Sequence, residues 1–452
     1  MGRPTVHPLR DDALSNTSYL VELGDGLAAV IDPPRDVDRH LELADRLGVG
    51  IVATLDTHLH ADYVSGASEL AAAVEAEIVA PRDASARCAH RCVADGDRLG
   101  WNGVSLEAIA TPGHTPEHLA YVLLDGDDPV AVFSGGSLIL GGAARTDLLG
   151  DDRTDELTRA QFRSLRRLAT LPAGTALHPT HGAGSFCLTA SAPVDNPTIG
   201  SERRTNPLLQ LDDEAAFVRA LCAGFGTFPT YYRHLQGVNR AGPPLIRDLA
   251  EPAALAPEAA AHLQERGAWL VDARSIGEWA SGHPRGAVSI ELRPAFASWL
   301  GWAIPFGDAV VLLVDDDRRA ETLTLARRIG YDALLGWIEG GMDAWRAARL
   351  PVDEIEGIGP EEARRRQERG ATLLDVRQRA EVDALRVPGA THLELGDIIA
   401  GATPPATEVI TFCGHGERSA TAASLLESRG IAVVNLVGGT AAWEAAGLPV
   451  ER

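Results

Sequence analysis

The second half of the chain repeats itself. Leu270-Val271-Asp272-Ala273-Arg274 returns as Leu373-Leu374-Asp375-Val376-Arg377, and Gly340-Gly341-Met342-Asp343-Ala344-Trp345 returns as Gly438-Gly439-Thr440-Ala441-Ala442-Trp443. Between these motifs, the apolar run from Val310 to Val314 returns from Val409 to Phe412. A period of about 100 residues is the size of a small domain and too long for a solenoid unit. This half therefore holds two similar domains in succession. In the second copy the spacing predicts strands from Thr372 to Val376 and from Val409 to Phe412. A helix from Ser419 to Arg429 follows, closed by Gly430 where the chain needs a left-handed turn. Short apolar strands alternating with helices predict a parallel sheet covered on both faces.

A chain of 452 residues leaves room for a further domain in front. That half is rich in short strands, such as Leu27 to Ile31, Ile51 to Leu55 and Val130 to Phe133, with histidines clustered at their ends. Loops at strand ends usually carry function. The expected domains are residues 1–245, 255–350 and 356–452. The stretch from Arg240 to Pro257, with four prolines, is the expected linker before the repeat, and Pro351 to Pro360 separates the copies.

The formal net charge of −22 argues against nucleic acid and anionic membranes as partners, because both need concentrated positive charge. All 41 basic residues are arginines. Without lysine there is no Schiff-base chemistry on a lysine amine, and no P-loop. Five cysteines are too few, and odd in number, for a disulfide framework. The N-terminal MGRPTVHPLRDD has no apolar core, so no signal peptide is expected. No apolar run approaches the roughly 20 residues that span a bilayer. These features predict a reducing cytoplasm. Cys88 and Cys92 flank His90, but a single short pair is a weak metal signal.

Cys413-Gly414-His415-Gly416-Glu417-Arg418-Ser419 follows a predicted strand and opens a helix. Glycines let such a loop curl so that its N–H groups line an anion-binding nest over the helix N-terminus. A cysteine there is expected to have a lowered pKa and to act as a nucleophile. Four residues separate Cys413 from Arg418. This loop resembles the six-residue active loop of rhodaneses, which holds a sulfur atom; protein tyrosine phosphatases have one residue more. The resemblance extends through Val387-Pro388-Gly389-Ala390 and the Gly-Gly-x-x-x-Trp ending. It implies a persulfide on Cys413, with Arg418 also catalytic. Gly414, His415, Gly416, Glu417 and Ser419 would bind the substrate. The first copy resembles the same family through Asp272-Ala273-Arg274, Glu278-Trp279 and Gly282-His283-Pro284-Arg285-Gly286-Ala287, but Asp315 stands where Cys413 would be. A carboxylate cannot form a persulfide, so this copy is expected to be silent.

In the first half, His58 and His60 alternate across one short loop and can reach one ion, with His114 a third ligand from another loop. Thr57-His58-Leu59-His60-Ala61-Asp62-Tyr63, Thr111-Pro112-Gly113-His114-Thr115-Pro116 and Pro179-Thr180-His181-Gly182 resemble the metal-binding loops of the metallo-β-lactamase superfamily. The resemblance implies an αββα sandwich ahead of the two α/β parallel-sheet domains. Two positions depart from the family pattern. Tyr63 replaces a histidine, and Gly136 replaces the bridging aspartate. A dinuclear zinc site is therefore not expected. The expected ligands are His58, His60 and His114, with Asp62, His118 and His181 as nearby candidates.

Within the superfamily, Ala61-Asp62, Gly113-His114-Thr115-Pro116, Arg145-Thr146-Asp147 and Asn239-Arg240-Ala241-Gly242-Pro243 resemble persulfide dioxygenases. That resemblance implies one iron(II), favoured over zinc(II), and oxidation of a glutathione-type persulfide to sulfite. It also implies a substrate-binding Arg145. In that family two histidines and an aspartate hold the iron; His58 and His114 match, and Gly136 replaces the aspartate. The expected partners are small: a persulfide, thiosulfate, sulfite or a thiol. A homo-oligomer is left open. Two alternatives stand beside this reading. One is a metal-free sandwich that docks a substrate or partner for an active rhodanese. The other is a thioester hydrolase of the glyoxalase II type.

Overall fold

The computed structural model describes residues 4–101, 103–182, 185–187, 196–404 and 408–452. The first three residues of the N-terminal stretch lie outside them. The chain divides into two compact units, Met1–Leu249 with Arg327–Gly330, and Ala250–Ala326 with Tyr331–Arg452.

The first unit is built on two sheets. One runs Thr5–Asp11, Asn16–Gly24, Leu27–Ile31, Gly50–Leu55, Glu77–Pro81, Arg91–Val93 in spatial order. The other runs Ala176–Pro179, Asp128–Gly135, Leu119–Asp125, Val104–Ala110, Arg98–Trp101. Strand side chains alternate between faces, and here both faces are apolar. In Leu119–Asp125, Leu119, Tyr121 and Leu123 enter the core between the sheets with Tyr19, Val21 and Phe133. Ala120, Val122 and Leu124 face outward and pack with Leu165, Leu168, Phe217 and Leu221 of the helices Asp151–Leu168 and Glu214–Cys222. The first sheet does the same: Leu20, Ala28 and Val30 pack outward with Leu43 and Leu70 of the helices Asp38–Leu47 and Ala67–Val74. The result is the expected αββα sandwich. Asp151 and Asp152 begin the long helix, and Arg166 and Arg167 close it, which suits the helix dipole.

In the second unit each copy forms a five-stranded sheet, and the spatial orders correspond. The first runs Ala253–Leu255, Leu334–Ile338, Val310–Leu313, Trp269–Asp272, Val288–Ser289, and the second Glu356–Ile358, Ala432–Leu436, Glu408–Phe412, Thr372–Asp375, Thr391–His392. Every neighbouring pair in both is parallel. The repeated motifs have matching structural roles. Asp272 pairs with Arg274 and Asp375 with Arg377, all buried. The buried indoles of Trp345 and Trp443 donate to the Pro351 and Pro449 carbonyls, each at 3.0 Å. A buried Trp needs such an acceptor for its N–H.

The proline-rich stretches are less linker-like than their composition suggests. Ala253–Leu255 is already an edge strand of the first copy's sheet, and Glu356–Ile358 opens the second. Strands of three residues are too short to show a two-residue alternation. No helix among the described residues is long and apolar enough to cross a membrane.

Candidate metal centre and cysteine loop

Five polar residues of the first unit follow the carboxyl ends of strands. Asp32 follows Leu27–Ile31, His58 and His60 follow Gly50–Leu55, His114 follows Val104–Ala110, and His181 follows Ala176–Pro179. All five are buried. One ring nitrogen each of His58, His114 and His181 lie within 4.8 Å of one another. In each of these rings Nδ1 is held by a neighbour: His58 by Thr57 Oγ1 at 2.8 Å, His114 by the Arg145 carbonyl at 2.6 Å, and His181 by Asn16 Oδ1 at 3.1 Å. Nε2 of each is buried without a partner, and so is Oδ1 of Asp62. Buried polar atoms are normally satisfied, and outer hydrogen bonds on Nδ1 are how proteins orient metal-ligating imidazoles. Burial pushes His114 down to about 3 and His58 well below the ordinary range. Both rings are then neutral, the form that ligates a metal. The three Nε2 atoms fit one divalent ion, and His181 also neighbours the Asp62 carboxylate.

The structure redistributes the sequence candidates. His60 stands outside the converging trio. Its Nε2 lies 3.2 Å from Asp32 and 3.0 Å from the Tyr63 hydroxyl, while Nδ1 stays unpartnered. Burial alone would lower His60, but Asp32 and Asp56 outweigh it and raise its pKa. Tyr63 stacks on His60 and donates to the Asp32 carbonyl at 3.1 Å, so its oxygen is engaged. His118 is spent on structure. Nδ1 pairs with Thr111 at 2.8 Å, and Nε2 accepts the Gly136 N–H at 3.0 Å. Gly136 is where it is for space: a Cβ there would sit 2.5 Å from His114 Cδ2. Arg145 is not free to bind substrate. Nε and Nη2 hold Asp147, both at 2.7 Å, Nη2 also reaches the Gly226 carbonyl, and Nη1 the Phe186 carbonyl. Its guanidinium covers the Phe228 ring.

Two further residues, Asp32 and Asn239, position the site. Asp32 accepts from Thr57 N–H and Oγ1, from Thr180 Oγ1 and from His60, and so ties three loops together. Asn239 donates to the His60 and Tyr63 carbonyls at 2.8 and 3.0 Å and accepts from the Ser65 N–H. That gives the Asn239–Pro243 motif a physical role. A cleft lined by Asp56, His58, Ser65, Cys88 and Asn239 reaches the cluster. Cys88 and Cys92 with His90 form no metal cluster among the described residues.

In the second unit, Cys413 follows Glu408–Phe412, and the helix Glu417–Ser428 begins behind it. Cys413 is buried, and its Sγ accepts the Gly416 N–H at 3.1 Å. Arg418 hydrogen-bonds Cys413 and holds the Glu381 carboxylate at 2.5 and 2.7 Å. Burial works against the charge on Arg418, but Glu381 and Cys413 outweigh it. The repeated Gly-Gly closes the loop from below. Thr440 and Ala441 N–H groups donate to the Cys413 and Gly414 carbonyls at 2.8 and 3.1 Å. Gly439, with φ +55°, approaches so closely that a Cβ would lie 2.2 Å from the Cys413 oxygen.

Of the expected substrate-binding residues, Gly414 and exposed His415 lie on the open side of the loop. Ser419 does not: its buried hydroxyl lies 2.9 Å from the Gly416 carbonyl and 2.7 Å from Asn435 Oδ1. Glu417 pairs with Arg293 of the first copy at 2.9 Å. The first copy also sets Trp299 under the Arg418 guanidinium. Its own loop has no cradle. Asp315 is exposed ahead of a short 3-10 turn, Asp316–Arg318, and a Cβ on Gly341 would meet open space.

An αββα sandwich with histidines at its strand ends, followed by two parallel-sheet domains of which one carries an amide-lined cysteine, defines a metallo-hydrolase fold fused to rhodanese-like modules. The family comparisons agree. The metallo-beta-lactamase superfamily matches residues 11–181, and the rhodanese-like domain matches residues 255–348 and 359–446. The chain belongs to the metallo-β-lactamase superfamily and carries two rhodanese-like domains. It is similar to a hydroxyacylglutathione hydrolase of Xanthomonas campestris pv. campestris, 34% identical over 46% of this chain and 86% of that protein. It is also similar to the mitochondrial persulfide dioxygenase of Homo sapiens, 29% identical over 41% of this chain and 68% of that protein. A solved metallo-β-lactamase from Staphylococcus aureus subsp. aureus COL matches 74% of this chain and 99% of its own at TM-score 0.67 and 26% identity. The combination of modules is that of an enzyme of sulfur metabolism.

Proposed function

We propose that the chain couples oxidation of a low-molecular-weight persulfide in the first unit to sulfane-sulfur transfer on Cys413. The observation that carries the first half is the convergence of three buried, unpartnered Nε2 atoms from His58, His114 and His181. Iron(II) is the favoured ion, held by these rings with Asp62 beside them, and when bound it would supply a site where dioxygen and a sulfur ligand meet. The balanced reaction takes a persulfide, dioxygen and water to a thiol, sulfite and two protons. The terminal sulfur gives four electrons to dioxygen. The residues of this chain hold the His58 and His114 rings neutral, fix the orientation of all three rings through Thr57, Asn16 and the Arg145 carbonyl, and leave the Asp56-lined cleft for the substrate.

In the second unit the Cys413 thiolate attacks the sulfane sulfur of thiosulfate. The new S–S bond forms as the old one breaks, and sulfite leaves with the electron pair. Arg418, immobilised by Glu381, sets a positive charge beside both anions. A thiol or cyanide then takes the sulfur and regenerates the thiolate; run in reverse, sulfite from the first unit is the acceptor. One covalent chain raises the effective concentration of that sulfite at Cys413.

The 34% identity to hydroxyacylglutathione hydrolases favours a second reading, thioester hydrolysis. Hydrolases of that type ordinarily use a metal-activated hydroxide between two ions, and Tyr63 and Gly136 remove ligands for the second. Oxygen uptake and sulfite release from glutathione persulfide, set against hydrolysis of lactoylglutathione, separate the two. Uptake matched by sulfite supports persulfide oxidation. Thioester hydrolysis without uptake overturns it.

A further inference from the structure

Resting on the metal site just described, we propose that Cys187 is a thiolate ligand of that centre, so that the ion is held by nitrogen and sulfur, with His181 shared between two donor groups. Asp62, His181 and Cys187 each place a ligand atom within 4.8 Å of the others, and all three residues are buried. His181 belongs to this group and to the group with His58 and His114. Asp62 Oδ1 and His181 Nε2 are both buried without partners. An acceptor and a ring nitrogen left open together, beside a thiol, are a set of donors lacking a cation.

Cys187 is held in place by the residue that orients His114. The Arg145 N–H donates to the Cys187 carbonyl at 2.8 Å, and the Arg145 carbonyl accepts from His114 Nδ1 at 2.6 Å. The Arg145 guanidinium holds the Phe186 carbonyl, and the Ser185 hydroxyl accepts the Cys187 N–H at 3.2 Å. The Tyr232 hydroxyl hydrogen-bonds the sulfur, the kind of outer contact that tunes a metal-bound donor. This gives the pairing of buried Arg145 with half-buried Asp147 a purpose that substrate binding does not.

The charge balance points the same way. Three neutral imidazoles leave a buried divalent ion uncompensated. With glycine at 136, the family's anionic donor is missing. Asp62 and Cys187 can supply negative charge from the opposite loops. A thiolate favours softer ions, which bears on the metal the site selects.

The test is cobalt(II) substitution of the full chain, in a Cys413→Ser background so that the loop cysteine contributes no signal. Cobalt alone is the probe, and binding is read by titration and by absorption. The expected result is a thiolate-to-cobalt charge-transfer band in the near ultraviolet that disappears in Cys187→Ser and survives Cys88→Ser and Cys222→Ser. Cobalt affinity in Cys187→Ser should fall at least as far as the roughly 10-fold that loss of an outer-shell partner costs. Cobalt bound with ligand-field bands but no charge-transfer band in the unsubstituted Cys187 chain overturns this assignment and leaves the histidine site standing. Failure of the chain to bind cobalt at all overturns both this assignment and the metal site beneath it.

Discussion

Two nitrogens of Arg418 grip the two carboxylate oxygens of Glu381, at 2.5 and 2.7 Å, in the half of the chain that carries Cys413. Glu381 stands in the first turn of the helix Arg379–Ala384, where its carboxylate also caps the Gln378 N–H. One carboxylate thus fixes a helix start and aims the guanidinium at the cysteine. Glu381→Gln should lower sulfur transfer from thiosulfate to cyanide by about 10- to 100-fold, since hydrogen bonds to charged groups are worth about 1.5–3 kcal/mol. Arg418→Ala should lose more on thiosulfate than on a neutral persulfide donor. Equal losses on both donors would show that Arg418 serves the fold alone.

The glycine pairs of the two copies should respond differently. Gly439→Ala drives a Cβ against the Cys413 carbonyl, whereas Gly341→Ala meets open space and carries only the strain of its φ of +59°. That strain is about 1–2 kcal/mol. Sulfur transfer should therefore collapse in Gly439→Ala and stay close to native in Gly341→Ala, with a small fall in Tm. Comparable loss of transfer in both would contradict a loop supported only in the second copy.

The repeat, the strands and the cysteine loop were legible because each leaves a local trace. A run such as Val310–Leu313, buried throughout, announces a parallel core strand, and the Cys413 spacing announces its loop. The choice among histidines left no such trace. His60 turns to Asp32, which is 28 residues earlier in sequence, and His181 is freed for a metal by Asn16, 165 residues away. Which ring nitrogen is engaged depends on partners that only the sandwich assembles. Glu381 could have been anticipated, because its counterpart Glu278 in the first copy belongs to the same motif and also caps its helix. Arg145 shows a related effect: an arginine in a recognisable motif suggests a ligand, while its donors here are engaged by Asp147 and by the Phe186 and Gly226 carbonyls.

Acid should weaken the first unit through His40. Burial pushes this histidine down to about 4, and its Nε2 faces Ser18 Oγ at 2.8 Å. The unfolded chain takes up a proton near pH 6.5 that the folded chain refuses until about 4. Stability from neutral His40 is therefore present above about pH 6.5 and is lost as pH falls toward 4, by about 3 kcal/mol in all. Protection factors of the strand Asn16–Gly24, from hydrogen exchange corrected for the intrinsic pH dependence of amide exchange, should fall across this range in the native chain and fall less in His40→Gln. An identical pH dependence in the two would contradict the assignment.

Gly136→Asp, which installs the carboxylate common in the superfamily, should not create a second site. Its Cβ would displace the His114 ring, and Ala144 Cβ lies only 3.2 Å away on another side. Bound metal should fall by at least about 10-fold in affinity, as for loss of a second-shell contact. A variant with two tightly bound ions would show that the pocket relaxes to accept the carboxylate.

The central claim is that His58, His114 and His181 hold a single ion on which persulfide oxidation depends. Anaerobic purification followed by metal quantification and oxygen uptake with glutathione persulfide tests it most directly, with His114→Ala beside the native chain. The account predicts close to one ion per chain, iron in preference to zinc, and loss of both metal and uptake in His114→Ala. Two ions per chain, or uptake that survives the loss of His114, would contradict it.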